Sequence, residues 1–436
     1  MKNKKLNLWT AISVVIGCVI GSGVFVKPGR VLIAAGDSNR ALLAWVIGGL
    51  ISLAGGLTLA EISARIPKNG GVYAYVEELF GESWAFVTGW LQAIIYGPAL
   101  SSALSLYFAS LLIQFLGISD SYQKFIALFT LFILSTLSAC SLHFSAIVQN
   151  LTTTIKLIPI FVLGIAGLWL GEEQIFSVAT TSTTVPNMGV AILATLWAYD
   201  GWVQVSNLAE EIEEPSKNLP RAYLIGIFGV MIAYILVNIS LFHILPVEMI
   251  STLNEKAPAI ASEKLFGAWG GKALALGILI SIFGCLNGNI MTLSRMAYAM
   301  SCRNAFPFSK VMAVLHPKTN TPVNSIILKT ALAVVMVVLL NPDRITDIAM
   351  FIIYLCYAAV FLGVFILRKR LGAPTTGYKV PLYPVMPILA SLGSLYICYS
   401  MAVQQPLDAG LSILVALSGI PIFYYRKMKL AKYAVQ

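Results

Sequence analysis

Gly17-Cys18-Val19-Ile20-Gly21-Ser22-Gly23-Val24-Phe25 is the stretch that decides the fold, because it places Gly-Ser-Gly near the middle of an apolar segment long enough to span a membrane. A similar interruption recurs at Trp197-Ala198-Tyr199-Asp200-Gly201-Trp202. A helix that unwinds inside a bilayer frees backbone N–H and C=O groups, which hydrocarbon cannot satisfy, so protein or a polar ligand must cover each break. Paired interruptions in the two halves of a chain indicate a transporter with its substrate site near the bilayer midplane.

The composition is that of an integral membrane protein, since 58% of the 436 residues are apolar and only 11% are charged. We predict an all-α membrane protein in which residues 1–436 form a single transmembrane domain of twelve transmembrane helices. Apolar stretches recur from end to end and leave no room for a large soluble domain. The predicted spans cover residues 8–35, 41–64, 83–115, 122–141, 145–170, 188–209, 220–245, 272–302, 322–340, 345–368, 384–404 and 407–425.

The distribution of basic residues predicts the orientation in the membrane. The net charge of +10 could suggest a nucleic-acid partner, but Lys and Arg are spread among short loops, so no nucleic acid is expected. They are concentrated on the side of the N-terminus, which predicts a multi-pass protein of the plasma membrane with both termini cytoplasmic. The N-terminal lysines imitate a secretory signal, but the apolar run continues past Gly23 without a convincing cleavage site, so we interpret it as a retained first span.

Two halves of the chain follow one plan. The first five spans, residues 8–170, and the next five, residues 188–370, each open with an interrupted helix. Residues 384–427 then supply two additional C-terminal helices. The hydropathy pattern alone leaves an inverted five-plus-five repeat open, because little residue identity joins the halves apart from the interruptions.

The first break offers donors for an anion. The half-helix that begins near Ser22 has unpaired N–H groups and the positive end of a macrodipole, which attract a carboxylate. Glycines at 21 and 23 permit unwinding and close approach of a ligand. The alternative is helix packing, since Gly17 and Gly21 form a G-x-x-x-G pair. The second break favours the ligand interpretation.

The second break offers acceptors for a cation. The carbonyls that end the first half of span 6 can accept hydrogen bonds from an ammonium group. Donors at one break and acceptors at the other fit the zwitterion of an α-amino acid. Trp197 and Tyr199 supply aromatic bulk that could cover the pocket or, as is common in membranes, anchor the helix at the interface.

Lys156 is the most informative single residue after the breaks. It lies 11 residues from Ser145 and 14 from Leu170, so roughly 16 to 21 Å of helix separates it from either span end. A lysine at the centre of a span costs about 2.5 to 3.5 kcal/mol on insertion scales, which predicts a functional residue with a polar partner. The alternative is a misplaced span boundary. A fixed ammonium beside the break could replace a sodium ion.

Asp200 is the corresponding acidic residue. It could pair with Lys156, take up a transported proton or narrow the side-chain pocket. A structural cap on the unwound segment is a further alternative, and the sequence does not choose among these roles.

Other kinds of site are not indicated. The six cysteines lie in or beside spans and form no C-x-x-C pair, which argues against a zinc site and a disulfide framework. The three histidines lie near span ends, and no H-E-x-x-H motif, Ser/His/Asp grouping or Gly-rich phosphate loop appears. We therefore predict a protein that is not an enzyme and holds no cofactor.

Two connectors have predicted structure. Pro67-Lys68-Asn69-Gly70-Gly71 indicates a turn, followed over Val72 to Phe80 by a short amphipathic helix that could be a gate or an interfacial connector. Between spans 6 and 7, Asn218 and Pro220 are predicted to start the seventh helix.

These motifs together resemble the amino acid, polyamine and organocation (APC) transporter superfamily, and most closely its L-amino acid transporter branch. Gly21 to Pro28 is similar to the family's first-span signature, and Ala60 to Tyr75 to its connector between spans 2 and 3. Trp197 to Trp202 with Asn218-Leu219-Pro220 resembles its sixth span and exit. The resemblance covers nearly the whole chain. It implies the inverted five-plus-five fold with unwound helices 1 and 6, and sodium-independent amino acid exchange by alternating access.

The resemblance also implies roles for residues at the two breaks. The amides of Ser22 and Gly23 would hold the substrate carboxylate. The carbonyls of Val19, Trp197 and Asp200 would hold its ammonium. The full set of implied substrate-binding residues is Val19, Ile20, Gly21, Ser22, Gly23, Trp197, Ala198, Tyr199, Asp200 and Gly201.

Three residues are implied in coupling or gating. The side chain of Trp197 would act as an inner lid. Lys156 matches the family's fifth-span lysine, which occupies the place of sodium in related carriers. Tyr234 matches a seventh-span tyrosine that influences the inner site.

Two departures from the animal members refine the expectation. Those members usually have a small residue where Asp200 stands, and they carry a cysteine between spans 3 and 4 that links a partner subunit. The loop from Gly117 to Lys124 has none, so no disulfide-linked heavy chain is expected. The chain resembles bacterial exchangers of small neutral amino acids such as alanine, serine and cysteine. The alternative function is a proton-coupled amino acid symporter.

Overall fold

The computed structural model of the protein describes residues 5–66, 68, 70–175, 186–253, 256–340, 342–374, 377–404 and 406–434. Within these ranges the secondary structure is helical, and no strand exceeds an isolated bridge such as the parallel one between Leu6 and Ile212. Pro67 and Asn69 of the predicted turn lie outside the described residues.

Within the described residues, most of the chain lies in helices that follow one another. A π-helical turn at Gln92–Tyr96 lies between α6 and α7, and a 3-10 helix at Trp202–Glu211 follows α10. The α-helices are α1 (Leu8–Val19), α2 (Gly23–Val26), α3 (Pro28–Ala35), α4 (Ser38–Arg65), α5 (Val72–Phe80), α6 (Glu82–Leu91), α7 (Gly97–Leu116), α8 (Gln123–Cys140), α9 (Leu142–Leu170), α10 (Met188–Tyr199), α11 (Pro215–Ile244), α12 (Val247–Leu253), α13 (Ala257–Leu293), α14 (Arg295–Cys302), α15 (Ser309–Met312), α16 (Val323–Leu339), α17 (Pro342–Leu371), α18 (Val385–Gln404) and α19 (Pro406–Ala434).

Many of these helices are suited to a membrane. Among the described residues, nine helical segments are long and apolar enough to cross a bilayer, and the bent pair of α1 with α2 and α3 makes a tenth span. The sixth predicted span is divided between α10 and the 3-10 helix at Trp202–Glu211. The ninth predicted span corresponds to α16, which is apolar but shorter than the other spans. The structure thus confirms an all-helical membrane protein, while the count of twelve spans stays a prediction.

The broken helices lie at the centre of the bundle. Every residue from Thr10 to Val19 is buried, because α1 packs against α9, α11, α13 and the 3-10 helix. α10 packs against α3 and α4. Scaffold helices therefore surround both interrupted segments, as exposed backbone inside a membrane requires.

Some local predictions are confirmed and others are corrected. The short helix occupies Val72–Phe80 as predicted, and its buried face packs against α17 and the 3-10 helix. α11 begins at Pro215 rather than near Pro220, because Pro215 takes the first helical position, where a missing N–H costs nothing. α13 begins at Ala257, ahead of the predicted span, and has a kink at Gly267 (φ 71°). The third span contains an unpredicted π-helical turn.

A buried ion pair joins the C-terminal ends of α4 and α17. The carboxylate of Glu61, which is fully buried, accepts hydrogen bonds from Arg368 Nε (2.9 Å) and Nη2 (2.6 Å). The backbone N–H of Val380 donates to the same carboxylate (2.8 Å). The bidentate contact with Arg368 and the Val380 amide together stabilise the Glu61 carboxylate, whose burial without partners would cost several kcal/mol of desolvation free energy.

We predict that Glu61→Ala destabilises the fold, because it leaves the Arg368 guanidinium buried without its counterion. Loss of one partner of a buried pair costs about 3 to 5 kcal/mol, which thermal unfolding of the detergent-solubilised protein would register. The matched control is Glu78→Ala, whose pair with Lys68 is half exposed on both sides (side chains 51% and 54% exposed). Exposed pairs contribute about 1 kcal/mol or less. Equal losses in both variants would contradict the assignment.

Candidate substrate-binding site

The first break lies within the predicted Gly-Ser-Gly segment. α1 ends at Val19, Ile20 has extended backbone (φ −75°, ψ 91°) and helical structure resumes at Gly23. The helix axis bends by 42° between the two parts. Within the described residues, the amides of Ser22 and Gly23 have no hydrogen-bond acceptor. The break therefore presents free N–H groups, as the sequence predicted.

The second break lies at the end of α10. Asp200 has extended backbone (ψ 158°), and Gly201 takes φ 114°, a left-handed conformation that favours glycine. The chain continues as the 3-10 helix from Trp202. Gly201 is thus the residue that lets the chain turn out of the α-helix.

The two breaks are in direct contact. A methyl group added at Gly23 would lie 2.8 Å from the Cα atom of Ala198, and one at Gly201 would lie 2.7 Å from the carbonyl oxygen of Cys18. Only glycine permits such close approach of two backbones. Gly17 serves a different purpose, since its missing side chain makes room for Gln149 of α9. Helix packing at Gly17 and unwinding at Gly21 therefore coexist.

A small cavity of about 30 Å³, here called the central cavity, lies between the breaks. This volume has room for about one or two water molecules. Eight lining residues come from the broken helices and four from the surrounding ones. They are Cys18, Val19, Gly21, Ser22, Gly23, Leu100, Leu104, Trp197, Ala198, Asp200, Cys285 and Met350.

Lys156 covers carbonyls that the first break exposes. It lies at the middle of α9 and is fully buried, so the alternative of a misplaced span boundary is wrong. Its ammonium donates to the carbonyls of Ile20 (2.5 Å) and Gly17 (2.9 Å) and, at 3.4 Å, to that of Ser281. The Ser281 hydroxyl lies 3.1 Å from the carbonyls of both Ile20 and Gly21. A fixed cation and a hydroxyl thus satisfy the unwound backbone.

Tyr234 connects the two breaks. Its hydroxyl lies 3.2 Å from the carbonyl of Val19 and 3.0 Å from that of Ala198, and it donates its proton between them. The Val19 carbonyl, which the family resemblance assigns to the substrate ammonium, already accepts this bond. An ammonium group bound at the Val19 carbonyl would share or displace this hydrogen bond.

Asp200 is held by two tyrosines. Its carboxylate accepts hydrogen bonds from Tyr96 (2.7 Å) and Tyr357 (3.1 Å). Tyr96 belongs to the π-helical turn, and it also accepts a hydrogen bond from Gln204 of the 3-10 helix (3.3 Å). The proposed pairing with Lys156 is not formed. Both carboxylate oxygens accept hydrogen bonds, which suits an ionised group that anchors the second break to α17 and the π-helical turn.

The two predicted aromatic residues have different positions. Trp197 lines the central cavity. Tyr199 faces the opposite way, where its hydroxyl donates to the carbonyl of Trp45 (3.1 Å) and its ring packs against the ring of Tyr234. Ile20 and Gly201 also stand outside the cavity wall, Ile20 turning its carbonyl to Lys156. The structure brings the other seven implied binding residues to the cavity.

Several neighbours of the site were not predicted. Lys329, only 4% exposed, lies inside the apolar helix α16 and donates to the carbonyl of Asn289 (3.0 Å). The argument used for Lys156, a lysine within a span, could have identified it. Tyr96, Tyr357 and Cys285 carry no such signal, because tertiary packing alone brings them to the breaks.

Comparison with known proteins identifies relatives along the whole chain. The sequence profile of the family described as amino acid permease matches residues 6–423. The chain is 45% identical over 428 residues to the serine/threonine exchanger SteT of Bacillus subtilis (strain 168), covering 98% of each protein. It is 29% identical to the cystine/glutamate transporter of Homo sapiens (97% of this chain, 85% of the relative) and to the Asc-type amino acid transporter 1 of Mus musculus (97% and 81%). The family match includes both breaks.

We predict that Gly23→Ala impairs transport, because its methyl group would push the two breaks apart by contact with Ala198. Displacements of this size at a site reduce rates by about tenfold or more, measured as uptake of a labelled amino acid by proteoliposomes. The control is Gly229→Ala in α11, where nothing lies within 4 Å of the added methyl. Comparable activity in the two variants would show that close contact between the breaks is unnecessary.

Proposed function

The chain belongs to the amino acid permease family, in the L-amino acid transporter branch of the APC superfamily, and from this premise we propose that it exchanges small neutral L-amino acids across the cell membrane. The observation that carries the proposal is the contact between two helix breaks, one with free amides and the other with carbonyl groups. This family consists of membrane transporters rather than enzymes. The proposed fold is the five-plus-five inverted repeat of twelve helices, with both termini cytoplasmic.

In the proposed complex, the breaks bind the two charged ends of the substrate. The amides of Ser22 and Gly23 hold the carboxylate, and the carbonyls of Val19, Trp197 and Asp200 hold the ammonium. Backbone dipoles suit this task because they recognise the zwitterion that all α-amino acids share and leave the side chain free to vary. The short distance between the breaks supports a small substrate.

The side-chain environment favours small residues. Leu100, Leu104 and Met350 are apolar walls of the central cavity, and the Cys285 thiol donates to the Cys18 carbonyl (3.0 Å). Little room remains beside the backbone groups. We propose alanine, serine and cysteine as substrates. Serine is the first choice, because the relative in Bacillus subtilis is named a serine/threonine exchanger.

Lys156 supports transport without sodium. Its ammonium touches carbonyls that unwinding of the first span exposes, and it is covalently fixed to α9. A permanent cation at this position removes the need for a bound metal ion to satisfy those carbonyls. This arrangement supports the proposal of sodium-independent exchange. The loop from Gly117 to Lys124 contains no cysteine, so the proposal includes no disulfide-linked heavy chain.

Exchange is tested with proteoliposomes. Vesicles loaded with unlabelled serine should accumulate labelled serine without sodium, whereas empty vesicles should accumulate far less, because an exchanger returns across the membrane only when loaded. Equal uptake by empty vesicles would refute exchange. Uptake into empty vesicles that depends on an imposed pH gradient would identify the proton-coupled symporter instead.

We further predict that Lys156→Ala reduces the exchange rate while the protein still folds. The substitution removes the donor of the buried Gly17 carbonyl and leaves the Ile20 carbonyl with the Ser281 hydroxyl alone, at about 1 to 3 kcal/mol for an unsatisfied group. We expect the exchange rate to fall by about tenfold or more and the size-exclusion profile to stay unchanged. The matched control is Lys124→Ala, which removes an exposed ammonium from the Val338 carbonyl (2.9 Å). Wild-type kinetics in Lys156→Ala would remove its assigned role.

A further inference from the structure

The segment between α14 and α16 exposes a row of apolar side chains. It covers residues 303–322, includes the short helix α15 and is here called the α15 loop. Phe308 is 81% exposed, Val311 53% and Val314 52%. The N–H of Val311 donates to the Phe308 carbonyl (2.9 Å), and that of Val314 to the Val311 carbonyl (3.4 Å). Residues joined in this way eclipse one another, so the three side chains form one apolar face.

Hydrogen bonds hold the α15 loop at the level where membrane-spanning helices begin and end. Asn324, the second residue of the apolar helix α16, donates from Nδ2 to the carbonyl of Val311 (2.8 Å). The hydroxyl of Thr321 donates to the carbonyl of Ala139 (2.6 Å), next to the last residue of α8. The apolar face therefore lies beside the terminal turns of two membrane helices, within about 5 Å along their axes.

The backbone of the α15 loop turns the apolar face away from the helix bundle. α15 packs against α14 and α16, and the Phe306 ring lies 5.9 Å from the ring of Trp90 inside the bundle. Phe308 takes φ 56°, a left-handed conformation that a bulky side chain rarely adopts. Two residues apart, one Phe ring thus points inward and the other outward. A strained backbone that exposes an aromatic ring indicates a contact beyond the bundle.

The charges of the α15 loop are all positive. Lys310 and Lys318 are exposed, and among the residues that the structure describes neither ammonium has a hydrogen bond or an ion pair. The sequence contains no Asp or Glu from residue 264 to residue 342. By contrast, the exposed ammonium groups of Lys68 and Lys217 each pair with a glutamate. An apolar face flanked by free cations is complementary to a phospholipid with an anionic headgroup.

We propose that the α15 loop is a membrane anchor that binds an anionic phospholipid of the cytoplasmic leaflet. Phe308, Val311 and Val314 enter the boundary of the acyl chains, and Lys310 and Lys318 contact the anionic headgroup. Continuity with α8 and α16 determines the occupant, because the apolar face begins where these membrane helices end. The leaflet follows from the predicted orientation. This surface lies outside the substrate site, so the inference does not depend on the proposed exchange.

A fluorophore in the loop measures its contact with lipid directly. The fluorophore is attached to Ala313→Cys in a protein that also carries Cys140→Ser and Cys302→Ser, which remove the two exposed thiols. The bilayers are phosphatidylcholine with a fraction of either phosphatidylglycerol or phosphatidylcholine brominated in its acyl chains, which quenches on contact. We expect both lipids to quench, with phosphatidylglycerol preferred by about tenfold, because two lysines attract its headgroup.

Two double variants test the role of charge. Lys310→Gln with Lys318→Gln should bring the phosphatidylglycerol preference to within about twofold of phosphatidylcholine and leave quenching by phosphatidylcholine unchanged. The matched control is Lys68→Gln with Lys217→Gln, which removes the same charge from ammonium groups that are already paired with glutamates. This control should retain the preference. Higher ionic strength should weaken the preference in the labelled parent protein, because salt screens the two free cations.

Phe308→Ser tests the apolar contact. It should reduce quenching by both lipids several-fold, because it removes the largest apolar group of the face and keeps both cations. The side chains of Phe308, Lys310 and Lys318 are exposed, so the size-exclusion profile of each variant should match that of the parent protein.

Three outcomes would overturn the proposal. Absence of quenching by either lipid would place the loop in water, where a soluble protein could bind it and a membrane could not. Equal quenching by the two lipids in the parent protein would indicate insertion without recognition of the anionic headgroup. Loss of the preference in the Lys68 and Lys217 control would attribute it to total charge. Amino acid exchange is measured separately in the same vesicles, so its failure is distinguishable from these outcomes.

Discussion

The need to satisfy backbone polar groups in mid-bilayer is the constraint on which the rest of this structure depends. Unwinding between Val19 and Gly23 exposes carbonyls and amides to an environment that offers them no water. The protein covers the carbonyls with side chains from three scaffold helices, namely Lys156 of α9, Ser281 of α13 and Tyr234 of α11. It leaves amides at the same break free. That asymmetry is the basis for the substrate-binding role that we propose for the break.

The second break is stabilised by a different chemistry. Asp200 is anchored by the hydroxyls of Tyr96 and Tyr357, so a negative charge at this position has neutral donors around it. Lys156 and Asp200 are therefore each satisfied by dipoles and not by each other. The Tyr234 hydroxyl bridges the backbones of the two breaks. We propose that this bridge lets both breaks respond to a ligand that enters between them.

The sequence predicted those features that depend on local composition. Glycines within apolar runs marked both breaks, a charge within a span marked Lys156, and turn residues followed by an amphipathic pattern marked Val72–Phe80. Each of these features can be recognised from the residues of one segment, without knowledge of the segments that pack against it. The same logic extends to Lys329, whose position in an apolar helix carries the same signal.

Features that depend on contacts between distant segments were not predictable. No local sequence pattern distinguishes the π-helical turn at Gln92–Tyr96 from an α-helix. This turn places Tyr96 against Asp200, which lies more than a hundred residues later in the chain. Tyr199 is a second example. Its aromatic ring suggested a position in the pocket, but its hydroxyl donates to the Trp45 carbonyl of α4, on the side away from the cavity. Which way a side chain turns is decided by partners that no local pattern reveals.

The most direct test of the central claim is an experimental structure of the protein with L-serine bound, at a resolution that defines the carboxylate and ammonium groups. We predict that the carboxylate lies within hydrogen-bond distance of the Ser22 and Gly23 amides, and that the ammonium meets carbonyls of both breaks. Serine bound elsewhere, or an unbroken helix through either segment in the bound state, would contradict the account.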